Sequence, residues 1–111
     1  MKNKLGKTEI LKEYHKNGKL SYVFKIFPNG KFCKKTYDNR GNQTSFKDSS
    51  GFSCDSTYDN RGNETSYEDS DNFSWEKTFD SQDRMTSYKN SSGYSWKRIY
   101  KEDGTYEQTN L

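Results

Sequence analysis

The chain has 111 residues with a formal net charge of +3, 32% charged and 16% aromatic side chains, a single histidine and proline, and no alanine. That length allows one domain, and its few Leu, Ile and Val residues exclude the core of an ordinary two-layer globule. High charge with low hydrophobicity would suit a disordered chain, but strict alternation of aromatic with polar residues argues for folded β-structure.

The opening stretch MKNKLGKTEILKEY is Lys-rich and lacks the apolar segment of a signal peptide, and no apolar run later in the chain reaches the length of a membrane span. The expected location is therefore cytoplasmic, with no membrane partner. Residues 1–36 read as divergent basic strands around turns at His15-Lys16-Asn17-Gly18 and Phe27-Pro28-Asn29-Gly30.

From residue 37 a period takes over. Tyr37, Tyr58, Phe79 and Tyr100 stand 21 residues apart, so residues 37–99 form three repeats and residues 100–111 a C-terminal strand. Each repeat is too short and too poor in aliphatics to bury a core alone, so the copies must stack. Asp38–Gly41, Ser49–Gly51, Asp59–Gly62, Ser70–Asn72, Asp80–Asp83, Ser91–Gly93 and Lys101–Gly104 punctuate them as hairpin turns. Segments of about seven residues rich in Tyr, Phe, Trp and Thr lie between, the composition of strands. The fold class is all-β: an antiparallel meander of about ten strands in a thin, twisted or curved sheet, with no helix.

Register follows from loop length. Four-residue loops pair Tyr58 with Asn63, and three-residue loops pair Asp69 with Phe73. Counting on places Phe24, Cys33, Phe46, Cys54, Tyr67, Trp75, Tyr88 and Trp96 in one row across one face. Phe52, Phe73 and Tyr94 flank it at one end, and Tyr37, Tyr58, Phe79 and Tyr100 at the other. The opposite face carries Ser45, Lys47, Ser53, Asp55, Ser66, Glu68, Ser74 and Glu76, with one apolar cluster of Met85, Ile99 and Tyr106. An aromatic face on a single sheet requires a cover: curvature of the sheet, a second copy in a homodimer, or a partner protein. Tyr67, Trp75, Tyr88, Trp96, Phe73 and Tyr94 are the candidate partner-binding residues. Cross-strand packing within the molecule is the structural alternative for the same row.

Cys33 and Cys54 are one period apart, hence separated by a whole strand; two strand spacings come to about 9.6 Å, beyond the reach of a disulfide. Two cysteines and one histidine without a CxxC pair give no zinc motif. His15 sits in a turn and reads as a turn residue rather than a general base. The Asp-Asn-Arg-Gly-Asn turns lack the spaced acidic ligands of a calcium loop. No catalytic residue, metal site or cofactor is assigned.

Charge is uneven. Residues 1–37 hold ten lysines against Glu9 and Glu13, whereas residues 38–111 hold nine basic and fourteen acidic residues, giving +8 and −5. Lys25, Lys31, Lys34 and Lys35 form a candidate basic patch, able either to bind a phosphate backbone or to guard an edge strand from unwanted pairing.

The stretch Tyr-Asp-x-x-Gly-Asn-x-Thr-Ser-Tyr, matched at 37–46 and 58–67 and degraded at 79–88 where Asp83 replaces the glycine, resembles the YD repeats of the Rhs family. Tyr14–Leu20 is similar to the MORN-like repeats of YwqK-type proteins. Both resemblances imply β-hairpins, and a chain this short cannot wrap cargo as Rhs shells do. In size and repeat style the chain also resembles small repeat proteins of phages and mobile elements, a class that includes anti-CRISPR inhibitors. That resemblance implies a non-catalytic inhibitor that sterically blocks a larger protein or ribonucleoprotein complex handling nucleic acid, in the cytoplasm of a bacterial host. The alternatives are a nucleic-acid-binding module using the basic end and a structural assembly protein.

Overall fold

A computed structural model describes residues 6–111. Lys2 and Lys4 of the basic end lie outside the described residues. Ten strands form one sheet in the order β1 to β10: Glu9–Tyr14, Leu20–Ile26, Phe32–Tyr37, Gln43–Asp48, Ser53–Tyr58, Glu64–Asp69, Ser74–Phe79, Met85–Asn90, Ser95–Tyr100 and Tyr106–Asn110. Every neighbouring pair is antiparallel, and β1 and β10 are free edges, so the sheet does not close into a barrel. Among the described residues there is no helix.

The molecule measures 60 × 35 × 17 Å, with a Cα radius of gyration of 18.6 Å. A compact domain of this length would have about 13 Å. The excess is the signature of a single layer, and burial agrees: only Val23 and Trp96 are buried among the described residues.

One turn is used throughout. In all nine hairpins the N–H of the residue before the loop donates to the carbonyl four residues on, and the third loop residue donates back to it. The loop therefore has three residues everywhere, and its third residue carries positive φ, a conformation glycine adopts without strain. Asn72 and Asp83 hold that position at φ 64° without being glycine, as Asn and Asp tolerate best. The glycine missing from the degraded repeat thus leaves the turn unchanged.

The four-residue loops expected from the sequence are overturned, with a consequence that depends on the strand beyond each turn. A one-residue slip transfers every side chain to the other face. In the β3–β4, β5–β6 and β7–β8 hairpins a bulge beside Thr36, Thr57 and Thr78 adds a second one-residue shift. Two shifts restore the face, so the repeats keep the expected sides. The β2–β3 and β9–β10 hairpins have no bulge. There the slip is uncompensated: Phe24 opposes Lys34 rather than Cys33, and lies on the polar face with Phe32, 5.8 Å between ring centroids. Tyr106 opposes Tyr100 on the aromatic face, while Ile99 opposes Glu107 on the other, so the expected Met85–Ile99–Tyr106 cluster does not form.

Hydroxyls fill the bulges. Thr57 Oγ1 lies 2.8 Å from Thr65 Oγ1 and 2.6 Å from Ser66 Oγ, and Thr36–Thr44–Ser45 and Thr78–Thr86–Ser87 repeat the triad. At one end of the sheet the turns are tied together. His15 Nε2–H donates to the Tyr37 carbonyl (2.9 Å), Lys19 Nζ to the Arg40 carbonyl (3.1 Å), Arg40 to the Asn60 carbonyl, and Arg61 to the Asp80 carbonyl (2.5 Å) and the Asp83 carboxylate. At the opposite end Ser49, Ser70 and Ser91 bond through backbone N–H and hydroxyl to Phe32, Ser53 and Ser74. These ladders replace a core as the link between repeats.

Candidate functional site

The aromatic face is built from oblique steps rather than one straight row. Phe46 opposes Cys54, Tyr67 opposes Trp75 and Tyr88 opposes Trp96 within the hairpins closed by the 48–52, 69–73 and 90–94 turns. Across the bulged hairpins, however, Cys54 meets Asp69, Ser56 meets Tyr67, Trp75 meets Asn90 and Lys77 meets Tyr88. The expected continuous row is thereby corrected: the bulge displaces each aromatic pair by two residues from the one before it.

Within each step the rings are ordered. Tyr67 and Trp75 stack at 6.0 Å and 12°, Tyr88 and Trp96 at 6.2 Å and 22°. Phe73 packs against Tyr67 and Tyr94 against Tyr88 at the sheet end, with centroids 6.3 and 6.4 Å apart. All six candidate partner-binding residues therefore gather in two adjacent clusters. Their exposure differs sharply: Trp96 is 8% exposed, whereas Phe73 is 37% and Tyr94 59% exposed. Trp96 is a packing residue and Tyr94 a surface one.

Cations lie on the rings. Lys77 Nζ stands 4.1 Å from the Trp75 ring centre, and the Arg98 guanidinium 4.1 Å from Trp96 and 4.4 Å from Tyr106. Arg84 covers Tyr100 at 4.3 Å. Such contacts hold a cation by the negative ring face, and here they give the aromatic face a positive outer layer. Lys77 and Arg98 stand two residues beyond Trp75 and Trp96 on the same strands and so share their face by alternation, whereas the Arg84–Tyr100 and Arg98–Tyr106 contacts depend on cross-strand register.

The Tyr67 hydroxyl donates to Asp69 Oδ2 (2.9 Å), and partial burial with that bond pushes its pKa up to about 12. Tyr58 and Tyr100 donate to the carbonyls of Gln43 (2.7 Å) and Met85 (2.9 Å), fastening the other flank of the face. Burial also pushes the Cys54 thiol up, and Cys33 and Cys54 are both free, on β3 and β5 with β4 between them.

The four lysines of the basic patch are not brought together. Lys25 and Lys35 share the aromatic face beside Val23, Lys34 lies on the other face 5.3 Å from the Phe24 ring centre, and Lys31 sits at the 27–31 turn. Lys12, opposite Val23, completes a triangle with Lys25 and Lys35 that the sequence did not reveal. A groove of about 690 Å³ opens near the 27–31 and 48–52 turns, lined by Phe27, Phe32, Cys33 and Phe46, away from the tryptophans. Among the described residues no three His, Cys, Asp or Glu side chains cluster as metal ligands, and no helix is long and apolar enough to cross a membrane. No protein-family model matches the chain, and no curated protein matches it either.

Proposed function

We propose that the chain is a non-catalytic binding module that occupies the surface of a larger protein through its aromatic face. The observation that carries this reading is the pair of stacked clusters, Tyr67–Trp75–Phe73 and Tyr88–Trp96–Tyr94, standing side by side on a single layer with Phe73 and Tyr94 exposed at their rim. Aromatic side chains give large contact area at low entropic cost, and the cations set over them select an acidic or carbonyl-rich counterpart. The size and repeat style favour a nucleic-acid-handling defence complex as the target, blocked sterically in the manner of the small phage inhibitors.

The test uses the intact chain as bait beside a Phe73→Ser/Tyr94→Ser variant, whose changed side chains are exposed and whose fold is checked by melting. The expected result is a captured complex that survives nuclease treatment, is lost with the variant, and has lower nucleic-acid-processing activity when the purified chain is added. Equal capture by the variant, or capture abolished by nuclease, overturns the reading, the second outcome favouring a nucleic-acid-binding module.

A further inference from the structure

The two edges of the sheet differ in charge as sharply as its faces differ in polarity. On the first edge, residues 6–19 carry Lys7, Lys12, Lys16 and Lys19 against Glu9 and Glu13, a net +2. On the last, residues 101–111 carry Lys101 against Glu102, Asp103 and Glu107, a net −2. Both edges also expose apolar area: Ile10 and Leu11 are each 53% exposed and Tyr14 60%, Tyr106 is 47% and Leu111 68% exposed. An edge strand left this way is a template for further pairing, normally blunted by lysine, proline or a bulge on the strand itself. Strand β10 has none of these, and β1 has Lys12 and a register shift against β2 at Glu13–Tyr14.

The interior shows how such edges join. Turns 15–19, 38–42, 59–63 and 80–84 lie along one end of the sheet, each tied to the next by a basic side chain reaching across. The fifth turn of that row, 101–105, carries Glu102 and Asp103 where its predecessors carry Asn39-Arg40 and Asn60-Arg61. It thus offers acid where the first turn, with Lys16 and Lys19, offers base. Strand β10 leaves its turn and β1 enters its own, so laid side by side the two run antiparallel with the turns in line.

We infer that β10 of one copy pairs with β1 of a second copy, extending the sheet head to tail with Glu102 and Asp103 of the last turn facing Lys16 of the first. Such a contact joins two different surfaces and does not close on itself, so copies add in an open series. The aromatic face stays on one side across the junction, with Tyr106 brought beside β1. This contact uses edges, not the face assigned to the partner protein, and stands independently of that assignment.

Charge reversal tests it in purified full-length chains by sedimentation velocity at rising concentration. Wild-type chain should form species larger than a dimer, and these should shrink at high salt, where the Debye length falls from about 10 Å at 0.1 M to about 3 Å at 1 M. Lys12→Glu/Lys16→Glu and Glu102→Lys/Asp103→Asn should each sediment as monomers with unchanged melting, because both of their edges then carry one sign. Mixed in equal amounts they should assemble again. A wild-type chain that stays monomeric, single variants that assemble as the wild type does, or a mixture that stays monomeric would overturn the inference.

Discussion

Trp75 and Trp96 occupy the same place in successive repeats, each stacked on a tyrosine across a hairpin, yet only Trp96 is buried, at 8% exposure. The difference comes from the cations above the two rings. Arg98 lies over Trp96 and also over Tyr106, closing the last hairpin on the ring, whereas Trp75 is covered by the single flexible Lys77. Equivalent sequence positions therefore divide into an anchor for the fold and a surface for contact.

Trp96→Ala should destabilise the chain by about 3 kcal/mol, near the low end for a buried tryptophan, and Trp75→Ala by about half as much in a half-buried site. Urea unfolding followed by fluorescence or circular dichroism measures both. In partner binding the order reverses: Trp75→Ala should weaken association by about 2 kcal/mol in a variant that remains folded. Equal unfolding effects would show that Arg98 and Tyr106 do not shield Trp96.

Arg61 and Asp83 should be energetically coupled. The Arg61 guanidinium reaches the Asp83 carboxylate and the Asp80 carbonyl from one turn to the next. Arg61→Ala and Asp83→Gly should each lower the melting temperature at low salt, and the double variant should lose less than the two combined. Asp83→Gly keeps the positive-φ turn, so its loss reports the carboxylate's bonds to Arg61 and Asn63 rather than the backbone, and the comparison with the double variant isolates the Arg61 part. Strictly additive effects would show that the Arg61–Asp83 pair itself contributes no coupling to stability.

Acid should unfold the chain through its turns. Asp80 is held below the usual carboxylate range by the Arg84 backbone N–H, which outweighs partial burial, together with the Gln82 N–H and the Arg84 side chain. Asp48 is lowered first by the Ser50 hydroxyl and Asp103 by the Thr105 hydroxyl. A carboxyl with a lower pKa in the folded chain stabilises above its unfolded value of about 3.9 and loses that contribution as pH falls through the folded value. Melting temperature should be flat from neutral pH to about 5 and fall below about 4. Asp80→Asn, which keeps one acceptor, should blunt the fall.

Cys33 and Cys54 should remain uncrosslinked in the unreduced monomer, since β4 lies between their strands. Intact-mass and peptide analysis after thiol alkylation under denaturing conditions checks this; an intramolecular bridge would contradict the strand order.

The strand number, the strand order and the sidedness of the repeats were legible in the sequence because the period, the turn residues and the alternation all agree. The turn length was not. Asp38, Asp59 and Asp80 look like the first loop residue, but each closes the hairpin by a backbone bond to the residue four on. The clue lay in Thr44-Ser45, Thr65-Ser66 and Thr86-Ser87, adjacent hydroxyl residues where one would suffice; they mark the bulges. Phe32-Cys33 and Tyr106-Glu107 lack that pair, and there the faces of β2 and β10 came out reversed. The six aromatic candidates, and Lys77 and Arg98 two residues beyond the tryptophans, could be grouped on one face from alternation alone, but the Arg84–Tyr100 and Arg98–Tyr106 contacts depend on register and could not be placed without it.

The compensating bulges give the chain something like a reading frame in three dimensions. Each turn and its bulge together keep the parity of the side chains, so deleting Thr65 alone would invert every strand on one side of the cut relative to the other, exchanging aromatic and polar surfaces at a stroke. Adding or removing a full 21-residue unit leaves parity and both ladders intact. Such a molecule can lengthen or shorten by whole units while its recognition surface keeps facing the same way, and single-residue insertions in these hairpins carry a penalty out of proportion to their size.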